Sequence, residues 1–284
     1  MLQRNGLEQH ATSPMFYFKN QPFALYYNIK VVKILDKTTF MLYILTMSKL
    51  ITDFQGKVLK LLAGRIDDFY LVGGTALSLY YFHHRESQDL DFFTTDYSKK
   101  RVVEIVKFLS ISLKREINLI AQQPKKDKAR ISVYSMPIKR GESLKIDFVE
   151  DYIGLIKPPN HINGINIASL EDIYIKKVYT IAGTSHEDDL TGRKISKGTR
   201  QTAKDFFDLY CLSHTFMRLS DFSFKFCNQT MREGIIRCFH SYSRFDMKIG
   251  FLELKLKKAV DYRGIERHFK TEINNIIEKE VDFV

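Results

Sequence analysis

An apolar run, Phe69-Tyr70-Leu71-Val72, breaks into Gly73-Gly74-Thr75 and continues as a helix-like stretch to His83. Asp89-Leu90-Asp91-Phe92-Phe93 follows. This strand–turn–helix–strand order constrains the fold more than any other part of the chain. Two glycines let backbone approach a phosphate closely, and a helix starting at Thr75 aims free N–H groups at such an anion. Asp89 and Asp91 are two apart, so on a strand both carboxylates point to one face. Leu90, Phe92 and Phe93 are apolar enough to bury that strand, and paired carboxylates on a half-buried strand need partners or a metal. Oxygen ligands of this kind suit Mg²⁺ held partly by substrate phosphates. A Gly-Gly alone reads as a tight turn, and an Asp-x-Asp alone as a solvated strand edge. In this order they read as a site for metal-assisted nucleotidyl transfer.

Further residues extend the site. In Lys145-Ile146-Asp147-Phe148, alternation puts Lys145 and Asp147 on one face of a strand over 143–150. A third carboxylate on a neighbouring strand is what a two-metal site requires. A solvated Asp on an amphipathic strand is the plainer reading, but Asp89 and Asp91 favour a ligand. Arg85 and Ser87 lie in the turn before Asp89, where Arg85 is either a phosphate fork or a pin on the loop. His83 and His84 are adjacent and point different ways, which argues against a two-His metal site. Ser169 and Asp172 resemble a capping box opening a helix over 170–182. That helix carries Lys176-Lys177, and a lysine facing a triphosphate offsets charge on leaving pyrophosphate. Neighbours on a helix are turned about 100° apart, so only one of the two is expected to face the cleft. Asp205 and Asp208 share a helix face at i,i+3. They are read as a base, as holders of an incoming hydroxyl, or as salt-bridge partners of Lys177 or Arg200.

The chain has 284 residues, enough for one large domain or two smaller ones. Residues 1–46 are aromatic and irregular, with no signal-peptide pattern. Helical spacing of Leu50, Phe54, Val58 and Leu61 starts beside Met47. The folded protein is therefore expected to begin near Met47, with 1–46 an extension that fits a mis-assigned start codon. Beyond it the pattern predicts helix 50–63, strand 69–73, helix 75–83, strand 88–94, helix 98–113, strands 130–138, 143–150 and 165–167, and helix 170–182. Glu187 to Thr202 is polar and reads as a long loop. Helices are expected at 202–213, 217–227, 229–240 and 264–279. The domains are thus an extension (1–46), an α/β half (47–168) and a helical half (169–284). Net charge is +11, which favours a polyanionic partner, nucleic acid first. The basic surface is expected around Lys99, Lys100, Arg101, Lys176, Arg193, Lys194, Lys197 and Arg200. Cys211, Cys227 and Cys238 form no CxxC pair and read as reduced thiols of a cytoplasmic protein. No apolar run reaches the roughly eighteen residues of a membrane span.

Phe69-Tyr70-Leu71-Val72-Gly73-Gly74-Thr75-Ala76-Leu77 and His84-Arg85-Glu86-Ser87-Gln88-Asp89-Leu90-Asp91-Phe92-Phe93 closely resemble the first motif of the AbiEii/AbiGii family of nucleotidyltransferase-like toxins. Lys145-Ile146-Asp147-Phe148 is similar to its second, Ser169-Leu170-Glu171-Asp172-Ile173 with Lys177-Val178 to its third, and Lys204-Asp205-Phe206-Phe207-Asp208-Leu209-Tyr210 to its fourth. The likeness spans about residues 47 to 212. It implies an α+β fold, a DNA polymerase β-like nucleotidyltransferase domain with a mixed sheet and helices, followed by a helical C-terminal half. The implied metal ligands are Asp89, Asp91 and Asp147, holding Mg²⁺ as two ions. Gly73, Gly74, Thr75, Arg85 and Ser87 are the implied substrate contacts. The family lysine falls on Lys177 and the functional aspartate on Asp205, while the arginine between them is Arg193 or Arg200. The resemblance implies transfer from an NTP to an acceptor, in some relatives the 3′ end of tRNA. It also implies the toxin role in a type IV toxin–antitoxin pair, used in growth arrest or abortive phage infection, with an antitoxin that need not touch it. Competing readings are a transferase acting on a small molecule or protein, and a non-catalytic RNA-binding module of the same fold. All three carboxylates are present, which argues against the module.

Overall fold

Alternation decides the two central strands. In β2 (Asp89–Thr94), Leu90, Phe92 and Thr94 are buried, while Asp89, Asp91 and Phe93 are partly open. In β5 (Glu142–Glu150), Leu144, Ile146 and Phe148 are fully buried. The strands pair in parallel, setting Asp89 opposite Lys145, Asp91 opposite Asp147 and Phe93 opposite Val149. On the hidden face Phe92 stacks on Phe148 at 5.7 Å, and Phe69 meets Phe148 edge-on at 5.4 Å. A one-residue slip would turn these side chains outward at about 1.5–3 kcal/mol each, so the core fixes which residues face the other way.

The computed structural model describes residues 37–123, 129–139, 141–183, 185–188, 194–197 and 199–282. Among them a mixed sheet is completed by β1 (Tyr70–Val72), β3 (Asn118–Gln123), β4 (Ile131–Lys139), β6 (Asn160–Ile162) and β7 (Ile165–Ile167). The strand order is β3-β4-β5-β2-β1-β7-β6. Residues Met47–Val284 form one compact unit. Of the other, Met1–Thr46, only the backbone from Lys37 is described, as the start of α1 (Lys37–Leu62). The aromatic runs at 16–27 lie outside the described residues.

Helix α2 (Gly73–Ala76) runs on as a π-helical turn, Leu77–Tyr81, and α3 (Lys99–Leu113) follows β2. The helical half comprises α4 (Leu170–Ala182), α5 (Ala203–Thr215), α6 (Leu219–Phe226), α7 (Gln229–Ser241), α8 (Arg244–Glu253) and α9 (Tyr262–Asp282). Ser169 caps α4 as expected, accepting from the Asp172 N–H at 3.0 Å. Helix α4 packs against α5 and α7 and is buried on most of its circumference.

The structure differs from the sequence pattern at several places. Helix α1 starts at Lys37, upstream of the helix expected over 50–63. Strand β3 is an exposed edge with no apolar alternation to announce it. The polar stretch read as a long loop holds an antiparallel pair, β8 (Ser185–Asp188) with β9 (Lys194–Lys197). Helix α8 was not expected either, because its apolar residues Phe245, Ile249 and Leu252 point outward and make no core stripe.

Candidate active site

Register brings Asp89, Asp91 and Asp147 to one face of β2 and β5, where all three line a cavity of about 740 Å³. Gly73 follows β1 at a φ of 73°, and a Cβ there would lie 2.5 Å from Asp91 Oδ2. Glycine thus lets the turn close onto the carboxylate. Burial, then the charges of Asp147 and Asp89, push the Asp91 carboxyl up to about 6. Burial also raises Asp147, against the pull of Lys145. Asp147 Oδ2 accepts from Lys145 Nζ at 2.5 Å, and its Oδ1 is buried without a hydrogen-bond partner. Lys204 Nζ lies 3.8 Å from Asp89 Oδ2.

Among the described residues no three His, Cys, Asp or Glu side chains converge tightly enough to enclose an ion as they stand. Lys145 is paired with one of the three carboxylates. Burial opposes its charge, but the hydrogen bond to Asp147 and the charges of Asp147, Asp89 and Asp91 outweigh burial and raise its pKa. Its ammonium offsets part of the charge of the acidic row and occupies Asp147 Oδ2. The donor set still fits a divalent cation: three carboxylates share a face, one buried oxygen is orphaned, and the Lys145 side chain is 40% exposed and has room to leave.

Facing this row is a second, densely bonded network. Lys177 Nζ contacts Asp205 Oδ1 at 2.8 Å and Asp208 Oδ2 at 2.7 Å. Arg85 forks onto Asp208, Nε to Oδ1 at 2.7 Å and Nη2 to Oδ2 at 2.8 Å, and His84 Nε2 reaches Oδ1 at 2.8 Å. Asp205 also accepts from Arg200 at 2.8 and 3.0 Å and from Thr202 Oγ1 at 2.6 Å. Both aspartates are fully buried. Burial would raise their pKa values, but Lys177 with Arg200 holds Asp205, and Lys177 with Arg85 holds Asp208, well below the usual carboxylate range. For Lys177 too, burial opposes the charge and loses to Asp208 and Asp205. Three permanent cations thus surround two carboxylates, leaving positive charge opposite the acidic row.

Several expectations change. Arg85, read as a phosphate fork or a pin, lines the cavity with its guanidinium engaged by Asp208, the contact a pin makes. Thr75 is fully buried and away from the cavity lining; its hydroxyl donates to the Asp89 carbonyl and accepts from the Ser87 hydroxyl, fixing the turn. Gly73, Gly74 and Ser87 line the cavity, as do Lys177 and Arg200. Lys176 lines it as well, contrary to the helical-wheel expectation, because the cavity follows the buried surface of α4. Lys176 pairs with Asp151 at 2.8 Å, Arg101 with Asp68 at 2.9 Å and Arg200 with Asp205, so these are not free members of a basic surface. Arg193 lies outside the described residues.

Sequence reasoning missed other contributors. Asp208, read as a salt-bridge partner of Lys177, is one, but its further bonds to Arg85 and His84 were not foreseen. Gln55, 1% exposed on the apolar side of α1, donates to the Ser87 and Asp89 carbonyls at 3.0 and 3.2 Å. A glutamine within an amphipathic stripe was the available signal. The three cysteines are free, and burial pushes each thiol up to about 12, which leaves them inert. Among the described residues no helix is long and apolar enough to cross a membrane.

Residues 61–282 match the family described as nucleotidyl transferase AbiEii toxin, type IV TA system. An uncharacterized protein of Aquifex aeolicus is 32% identical over 151 residues, covering 52% of this chain. The chain spans 59% of that relative's length. Among solved structures, a candidate nucleotidyltransferase from H. pylori superposes with a TM-score of 0.53 at 18% identity, over 84% of this chain and 98% of that one. JHP933 from Helicobacter pylori gives 0.51 at 17%, over 84% and 96%. At such identities these structures bear on the fold, a mixed sheet followed by helices.

Proposed function

Because the chain belongs to the AbiEii family of nucleotidyl transferase toxins of type IV toxin–antitoxin systems, we propose that it moves nucleotides from an NTP to an acceptor hydroxyl. The acceptor we assign is RNA, such as a tRNA 3′ end. The observation that carries this reading is the pairing, in one cavity, of the Asp89–Asp91–Asp147 row with the cations Lys177 and Arg200. The acceptor oxygen bonds to the α-phosphorus as the bond to pyrophosphate breaks, and the hydroxyl proton passes to solvent.

Mg²⁺ held by Asp89, Asp91 and Asp147 would neutralise phosphate oxygens and lower the pKa of the attacking hydroxyl. The chain's own groups do the rest. Lys177 and Arg200 present positive charge to the leaving pyrophosphate. Asp205 orients both and does not act as a base, since its oxygens are engaged and its pKa is depressed. Gly73 and Gly74 let the turn approach the phosphates. The net charge of +11 supports a polyanionic acceptor. We place the activity in the cytoplasm, in growth arrest or abortive phage infection, with a companion antitoxin acting without direct contact. One observation favours a small-molecule or protein acceptor instead: Arg101, Lys176 and Arg200 are engaged by carboxylates of the chain itself.

The test is incubation with each labelled NTP, Mg²⁺ and total RNA, resolved on a denaturing gel. Labelled RNA is expected from the wild type and none from Asp91→Ala. Label that enters protein or a small molecule moves the acceptor assignment. An Asp91→Ala protein that labels RNA at the wild-type rate refutes the site.

A further inference from the structure

The face that carries the carboxylates changes character along the strands. Two residues beyond Asp91 comes Phe93, and two beyond Asp147 comes Val149. Phe93 lies opposite Val149, and Val149 opposite Ile131 of β4. An apolar row therefore crosses three strands, roughly 7 Å from the acidic row at the ordinary rise of a strand. All three side chains are partly open and line the same cavity. Tyr152, 63% exposed, stands at its edge. A cavity built only for phosphates and cations has no use for such a row.

A buried ion pair borders it. Lys176, 8% exposed, holds Asp151 Oδ2 at 2.8 Å and the Gly154 carbonyl at 3.3 Å, with its ammonium 5.8 Å from the centre of the Phe93 ring. Asp151 is saturated by Lys176, the Tyr70 hydroxyl and the N–H groups of Ile153 and Gly154. An ammonium has three donors, and two are spent here. The pair thus offers the cavity one charged donor and no vacant carboxylate acceptor.

We propose that Phe93, Val149 and Ile131 form the platform for the nucleobase of the NTP, and that Lys176 selects a base with a ring carbonyl. This rests on the nucleotidyltransferase reading and deepens it. The distance between the rows is the scale of the ribose that separates phosphate from base. A flat apolar row accepts the face of any base. Lys176 then donates to a carbonyl oxygen, which guanine, uracil and cytosine carry and adenine lacks.

The test compares binding of the four NTPs and of inorganic tripolyphosphate, a probe without a base, to the full chain in Mg²⁺. Wild type should bind GTP, UTP or CTP about tenfold more tightly than ATP, the weight of one charge-assisted hydrogen bond. Phe93→Ala should weaken every NTP about tenfold or more, from lost stacking. Lys176→Met should bring ATP level with the others. Both variants should hold tripolyphosphate within about twofold of wild type, a result that a merely misfolded variant cannot give. Tripolyphosphate and NTP affinities that fall together, Phe93→Ala binding NTPs as wild type does, or a wild-type preference for ATP would each overturn the base subsite while leaving the NTP reading in place. Wild type that binds neither probe overturns both.

Discussion

Gly74 lies directly beneath the guanidinium of Arg85: a Cβ at Gly74 would sit 2.0 Å from Nη2 and 3.0 Å from Cζ. The second glycine of the turn thus makes room for a protein cation. Gly74→Ala is expected to push Arg85 off Asp208 and to cost about 1–3 kcal/mol, as overpacking does. Thermal or urea melts check this, and unchanged stability would show that Arg85 has a second resting place.

Asp208 should be the costliest carboxylate to remove. Asp208→Asn leaves Arg85 and Lys177 buried with half their partners gone, and breaking such a network costs about 3–5 kcal/mol. Asp89, a third exposed, should cost far less. The pH dependence has a definite sign. The folded-state pKa values of Asp205 and Asp208 are depressed, so their contribution is complete above the ordinary carboxylate pKa of about 4 and is lost as pH falls below it. Melts across this acid window should fall steeply for wild type and less steeply for Asp208→Asn.

Asp91 has the opposite sign. Its folded pKa is raised to about 6, so the contribution of this one group is most favourable below about pH 4 and is lost as pH rises through 6. In EDTA at neutral pH, Asp91→Asn should therefore be more stable than wild type, by up to about 3 kcal/mol. The difference should vanish near pH 4. A less stable Asp91→Asn at neutral pH would mean that the carboxylate is better satisfied than its neighbours imply.

Lys145 competes with any cation for Asp147. Lys145→Met should raise the affinity for Mg²⁺ or Mn²⁺, by roughly up to tenfold, the equivalent of one pKa unit of interaction. Calorimetric titration of the two metals decides it, and weaker metal binding would make Lys145 a helper of the site.

Much of the acidic row is legible in the sequence because alternation has only two faces to choose from. Asp89, Asp91 and Asp147 follow from it directly, and so do the buried Phe92 and Phe148. Alternation does not reveal that β2 and β5 are parallel neighbours. The role of Arg85 is hidden for a similar reason, since its partner lies 123 residues further along the chain. A helical wheel assumes a solvent side, and α4 has almost none, so both Lys176 and Lys177 line the cavity even though they turn to different carboxylates, Asp151 and Asp205. The β8–β9 pair and the edge strand β3 escape because their sequences have no apolar period to read.

The turn at His84–Glu86 is tied to the helical half twice over. Arg85 holds Asp208, while Glu86 and His84 share backbone hydrogen bonds with Lys255 and Lys257 at 2.9 and 3.0 Å. A hinge along this line would have to break both. Prising the halves apart would also carry Lys177 and Arg200, both in the helical half, away from the Asp89–Asp91–Asp147 row. Opening the molecule and disarming it are then the same mechanical event, and substrates have to enter through a frame that stays shut.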